Sequence, residues 1–197
     1  MTAIEALGSL TEILNEEEIP YMVVGSFSSN YHGIPRSTKD ADIVMQFDRE
    51  SWEVLSGKLP DCLVQESQGS FEMVTATRKE VLRLKDSPFE IEIFHLSEDL
   101  FDQERFRRRE KVELSSNHHA WLATAEDVIV QKLRWAGAAK RSKDFDDVVN
   151  VLLRQASDGA LDFRYIKKWC AEHRTTELLE EARVEAGQLW AGVLTAR

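Results

Sequence analysis

Ile4, Leu7, Leu10, Ile13 and Leu14 recur at helical spacing, which predicts an amphipathic helix over 3–17. The acidic stretch 15–18 and Pro20 bring it to an end. The pattern then changes. Tyr21–Val24 is a continuous apolar run, as in a short buried strand, and Gly25-Ser26 follows at once. A helix is expected from Phe27, capped by Ser26 and stopped by Gly33 and Pro35. Asp40-Ala41-Asp42 leads into Ile43-Val44-Met45, a second strand. Asp48 reads as the cap of a helix reaching Leu59, with Trp52, Leu55 and Leu59 facing inward.

From Leu63 to His95 the apolar period falls to two. Short strands are expected at 71–75, 81–84 and 89–94, and the last two form a hairpin around Lys85-Asp86-Ser87-Pro88. In the second arm, Glu90 and Glu92 share one face, while Phe89, Ile91 and Ile93 share the other. The segment 96–109 is polar and reads as a loop with one helical turn. Val112 and Leu114 suggest a further short strand, and 115–119 reads as a connector. Beyond it the pattern is helical throughout. Thr124–Asp127 has the form of a capping box before a helix to about 138, and further helices are expected at 144–155, 162–173 and 177–194, with Asp144 and Asp162 as caps.

A chain of 197 residues can bury an ordinary core without disulfides. Its two cysteines, Cys62 and Cys170, have no metal-ligand spacing and read as free thiols. No apolar run nears the ~20 residues of a membrane span, and no signal-peptide pattern opens the chain, so a cytoplasmic protein is expected. The net charge of −10 argues against broad non-specific nucleic-acid binding, which needs basic surface to displace counterions. Arg105, Arg107, Arg108, Arg109 and Lys111 form one basic run, a solvated segment or an acceptor-binding patch.

The chemistry concentrates in 21–45. Asp40 and Asp42 are two apart on a strand and point the same way, ~7 Å apart at their backbones. Gly25 permits a sharp turn and close approach by a ligand, and a helix start there offers backbone N–H groups to an anion. Two carboxylates beside such a turn suggest a divalent-metal nucleotide site.

Gly25-Ser26, a short helix, then Asp40-x-Asp42 at a strand start resembles the DNA polymerase beta nucleotidyltransferase superfamily. The fuller string Gly25-Ser26, His32-Gly33, Arg36, Thr38, Asp40, Asp42 resembles its AbiEii-type branch, which includes toxin nucleotidyltransferases. The resemblance implies an α/β fold: a small mixed β-sheet core flanked by helices over 1–119, and a C-terminal helical subdomain over 120–197. It implies a magnesium-dependent transfer of a nucleoside monophosphate from an NTP to a hydroxyl of an unknown acceptor, with two Mg2+ ions. It also implies an antitoxin protein as a partner.

On this resemblance Asp40, Asp42 and Glu92 are the catalytic, metal-binding carboxylates, with Glu90 the rival to Glu92. Gly25 and Ser26 hold the triphosphate. Arg36 and Thr38 belong to the segment before the carboxylates, and Arg36 is either a phosphate contact or a surface residue. Lys132 and Lys143 are candidate phosphate contacts, with a solvated helix face as the alternative for Lys132. Among other functions, the sequence leaves open a nucleotide-binding module without turnover, and a protein-interaction module with the same fold.

Overall fold

The structure is a computed structural model that describes residues 1–46, 48–66, 70–72, 77–115, 118–139, 142–155 and 161–195. The chain divides into two compact units: Met1–Phe27 with Ser37–Ala123, and Ser28–Arg36 with Thr124–Arg197. One division thus falls between Ala123 and Thr124, and the second unit also takes Ser28–Arg36 from the N-terminal part of the chain.

The first unit is a mixed eight-stranded sheet with helices. In chain order it contains α1 (Ala3–Glu16), β1 (Tyr21–Val24), the start of α2 (Gly25–His32), β2 (Asp40–Met45), α3 (Arg49–Lys58), β3 (Leu63–Gln65), β4 (Ser70–Glu72), β5 (Thr77–Leu84), β6 (Glu90–His95), α4 (Leu100–Arg108), β7 (Glu110–Ser115) and β8 (His118–Leu122). The strand order is β3-β5-β6-β2-β1-β8-β7, and β4 pairs with β5 as well. β6 takes one edge of β5, so β3 and β4 share the other, at opposite ends. β1–β2, β5–β6 and β7–β8 are antiparallel, whereas β2–β6 and β1–β8 are parallel.

Alternation assigns the two faces of the central strands. Ala41, Ile43 and Met45 of β2, Ile91 and Ile93 of β6, Leu82 and Leu84 of β5, and Tyr21 and Val23 of β1 are buried in one cluster with Leu7, Leu10 and Leu14 of α1 and Leu55 of α3. Each such side chain contributes about 1.5–3 kcal/mol on leaving water. The helical stripe read from the sequence is therefore the lid of this core. Thr2 caps α1 reciprocally with Glu5, and Asp48 caps α3 by accepting from the Ser51 N–H. Tyr21 lies in the core with its hydroxyl on Asn15; burial pushes the phenol up to about 12, against smaller opposing effects of Trp121, Asn15, Thr11 and Arg109.

Several expected boundaries move. α2 begins at Gly25, not Phe27, because Gly25 takes a φ of 62° and turns the chain directly from strand into helix. The expected loop over 96–109 holds α4, capped by Asp99. Its apolar signal is faint because Asp102 and Arg105 occupy inward positions as a buried ion pair beside Phe101 and Phe106. The expected connector contributes His118 and His119 to β8, which pairs with β7. The hairpin around Asp86 forms as expected, while 73–75 of the strand expected at 71–75 lie outside the described residues.

The second unit contains α5 (Ala125–Ala139), α6 (Ser142–Gln155), α7 (Phe163–Glu172) and α8 (Thr176–Thr195), with Ser28–His32 of α2. Val128, Ile129, Leu133, Val148, Val151, Leu152, Ile166, Leu179 and Ala182 are among its buried apolar residues. Thr124 and Asp162 cap α5 and α7 by accepting from the Asp127, Arg164 and Tyr165 N–H groups. Gly33 lets the end of α2 lie against α6: a Cβ there would meet the Val151 nitrogen at 3.0 Å. Asp144 is not the cap of α6, which begins at Ser142; it is the third residue of that helix, buried in its first turn.

Candidate active site

The sheet register brings the carboxylates of the first unit to one face. In the parallel β2–β6 pair, Asp40 lies opposite Glu90 and Asp42 opposite Glu92. Register partners point the same way, and neighbouring strands lie about 4.8 Å apart. All four acids are half-buried, between fully buried Ala41, Ile43, Ile91 and Ile93 on the other face.

Gly25 joins this face. Val24 pairs with Asp42, so Gly25 leaves β1 beside that carboxylate. A Cβ at Gly25 would stand 2.7 Å from the Asp42 Cγ and nearer still to Oδ2. Glycine is therefore required here twice, by the positive φ and by the space that Asp42 fills. Ser26, the next residue, is buried in the first turn of α2.

Each acid has a distinct neighbour. The Thr38 hydroxyl donates to Asp40 Oδ1 at 2.6 Å. On β5, Lys79 reaches Glu92 Oε1 at 2.5 Å, with both side chains about one-fifth exposed. Arg83 reaches Glu90 at 2.9 Å and Glu66 at 2.5 Å. Like charges on adjacent strands repel by about 1–3 kcal/mol per pair at ~5 Å, depending on screening. Two cations on β5 facing four acids on β2 and β6 leave this face with an excess of negative charge.

Among the described residues no three His, Cys, Asp or Glu side chains form a group able to hold a metal by themselves. The three carboxylates named from the sequence share a face without closing into a cage. Their donors are oxygens only, which suits magnesium, and that ion is commonly held by one or two carboxylates together with substrate phosphates. The donor set fits on those terms.

Arg36 and Lys132 belong to the second unit, and both are engaged there. Arg36 grips Asp147 bidentately, Nε to Oδ1 at 2.7 Å and Nη2 to Oδ2 at 2.9 Å. Lys132, with a side chain only 5% exposed, lies 2.9 Å from Asp144 and 2.8 Å from Asp147. The Ser29 hydroxyl adds a bond to Asp147 at 3.3 Å. Burial pushes the Asp147 carboxyl up, but Arg36 and Lys132 together outweigh it and hold the group below its ordinary value. The solvated helix face considered for Lys132 is thus not what the structure has. Lys143 is exposed on α6.

The basic run divides as well. Arg105 is buried against Asp102, Arg107 pairs with Glu104, and the Arg109 guanidinium lies 4.3 Å from the Phe106 ring and 5.1 Å from that of Trp121. Lys79, Asp144 and Asp147 were not singled out from the sequence as members of either cluster. The only local signal for Lys79 is its alternation with Val81 and Arg83; its partner depends on the hairpin register.

No protein-family model matches the chain, and no curated protein matches it in sequence. Solved structures do. The solution structure of the antibiotic-resistance factor ANT(2'')-Ia is similar with a TM-score of 0.57 and 11% identity, covering 91% of this chain and 95% of that one. The crystal structure of ANT(2'')-Ia in complex with adenylyl-2''-tobramycin is similar with a TM-score of 0.56 and 13% identity, covering 89% and 98%. At these identities the likeness is one of fold: the chain shares the architecture of these two structures.

Proposed function

We propose that this chain is a nucleotidyltransferase that moves a nucleoside monophosphate from an NTP to an acceptor hydroxyl, with pyrophosphate leaving. One observation carries the reading: the Asp42 carboxyl fills the space over Gly25 while lying in register with Glu92. An anion-ready helix start and a pair of acids thereby meet at one end of β1, β2 and β6.

In this reading the backbone N–H groups at Gly25 and Ser26 bind the triphosphate, aided by the positive end of α2. Asp40, Asp42 and Glu92 would hold Mg2+, which supplies charge neutralisation for the attacking and leaving oxygens when bound. Glu92 is favoured over Glu90 because its register partner is Asp42, the acid beside Gly25. Glu92 accepts the proton of the acceptor hydroxyl as that oxygen attacks the α-phosphorus. Thr38 orients Asp40. Lys143 is exposed on α6, whereas the pairing of half-buried Arg36 and buried Lys132 with Asp147 and Asp144 supports a structural role for both.

ANT(2'')-Ia was captured with an adenylyl group joined to tobramycin. By analogy a small polyhydroxylated, cationic molecule is the first acceptor class to test here, and a net charge of −10 suits a cation better than RNA. An AbiEii-type role with an antitoxin partner rests on the string from Gly25 to Asp42 alone.

The test is incubation with each α-labelled NTP, Mg2+ and a panel of amino sugars, RNA and protein. Label transferred to one acceptor with stoichiometric pyrophosphate is the expected result. Binding without turnover is the second reading, favoured by the engagement of Glu92 with Lys79. A melting shift with Mg-NTP and no pyrophosphate from any acceptor would establish it instead.

A further inference from the structure

Lys79 stands apart from the residues that the nucleotidyltransferase reading uses. It lies on β5, two residues from Val81, the register partner of Glu92. Alternation puts Lys79, Val81 and Arg83 on the same face as Glu90, Glu92, Asp40 and Asp42. Its ammonium meets Glu92 Oε1 at 2.5 Å and lies 5.7 Å from the centre of the Phe94 ring, the residue opposite Lys79 in the register. The side chain is thus held by a carboxylate in front and an aromatic face beside it, with about a fifth of its surface in water.

The neighbouring cation differs. Arg83 is divided between Glu90 and Glu66, and more than half of its side chain is exposed. An exposed, shared arginine contributes little. Lys79 is the better sheltered of the two cations that β5 places on this face, and it sits on the acid whose partner is Asp42.

We propose that Lys79 is the resident counter-cation of this carboxylate face and that it sets how tightly the face takes a divalent cation. The metal half of this inference rests on the proposed function. In the metal-free protein the ammonium neutralises Glu92 and limits its repulsion with Asp42. A divalent cation entering the same face meets the fixed positive charge of Lys79 and competes with it for Glu92. Lys79 is therefore a positioning residue: it acts through Glu92, keeping one oxygen engaged.

Two measurements test this. In the first, Mn2+ alone is titrated calorimetrically into wild type, Lys79→Met, Lys79→Arg and Asp42→Asn. Removing one positive charge ~6 Å from a divalent ion tightens binding about tenfold even with water-like screening. Lys79→Met is expected to gain about tenfold, Lys79→Arg to stay near wild type, and Asp42→Asn to weaken. In the second, melting is followed without metal. Lys79→Met is expected to lower Tm by about 2–4 °C, and adding Glu92→Gln is expected to recover most of that loss. Equal Mn2+ affinity of Lys79→Met and wild type, with Asp42→Asn weakened, overturns the proposal and leaves the nucleotidyltransferase reading standing. Mn2+ binding that is absent, or indifferent to Asp42, overturns the proposal, and leaves to the nucleotidyltransferase reading a metal that enters only with the NTP phosphates. A Lys79→Met loss in Tm that Glu92→Gln does not recover overturns the counter-cation role by itself.

Discussion

The chain carries two clusters of acids and bases built on opposite principles. In the second unit, Arg36 and Lys132 face Asp144 and Asp147, and Lys132 and both acids are almost fully buried. Charges so placed must be matched, because an uncompensated one costs several kcal/mol. In the first unit, Asp40, Asp42, Glu90 and Glu92 share a half-exposed face with Lys79 and Arg83, and acid outnumbers base. Mutual repulsion there is tolerated by water and would be relieved by a cation. Charge balance marks a cluster that holds helices together; an acid excess open to solvent marks one that can do chemistry.

Substitutions separate the two. The largest expected effect is from Asp42→Asn, which should lower nucleotidyl transfer by at least about 10^3-fold, on the scale of losing one key electrostatic group. Circular dichroism should show an unchanged fold, and the metal-free Tm should rise slightly as one like charge leaves the face. Next is Lys132→Met, which strands the buried Asp144 and leaves Asp147 to Arg36 and Ser29. It should cost about 3–5 kcal/mol of stability, read by urea melting, and any change in transfer should follow the loss of folded protein.

A pH series sharpens the contrast. The folded-state pKa of Asp147 is depressed, since Arg36 and Lys132 outweigh its burial. Its contribution is therefore present above the unfolded value of about 3.9 and is lost as pH falls through the lower folded value. Asp147→Asn should start less stable at neutral pH and lose less on acidification, in parallel denaturant titrations at pH 7 and pH 3. The smallest effect belongs to Arg107→Ala. Its pair with Glu104 is a surface one, and stability should move by less than about 0.5 kcal/mol.

Much of this was legible in the residues themselves. Alternation in Asp40–Ile43 and Glu90–Ile93 gives both strands and the side their acids take, and short-range caps at Asp48, Thr124 and Asp162 mark three helix starts. The mixed sheet flanked by helices is what the resemblance carried by Gly25-Ser26, Asp40 and Asp42 implies. The missing parts depend on distance along the chain. Asp147 meets Arg36 across 111 positions and Lys79 meets Glu92 across 13, so neither pairing has a local pattern. α4 was hidden because a buried ion pair, Asp102 with Arg105, stands where apolar residues would have revealed its inward face. Asp144 resembles a cap because its short acid stands near a helix start, yet as the third residue of α6 it is buried and paired with Lys132.

The most direct test is pyrophosphate release from an NTP by wild type and Asp42→Asn in parallel, at a temperature where both are folded and with the acceptor found in the labelling experiment. Release by wild type and its loss by at least about 10^3-fold in Asp42→Asn is the expected result. Release within twofold of wild type in Asp42→Asn would show that the carboxylate over Gly25 takes no part in the reaction.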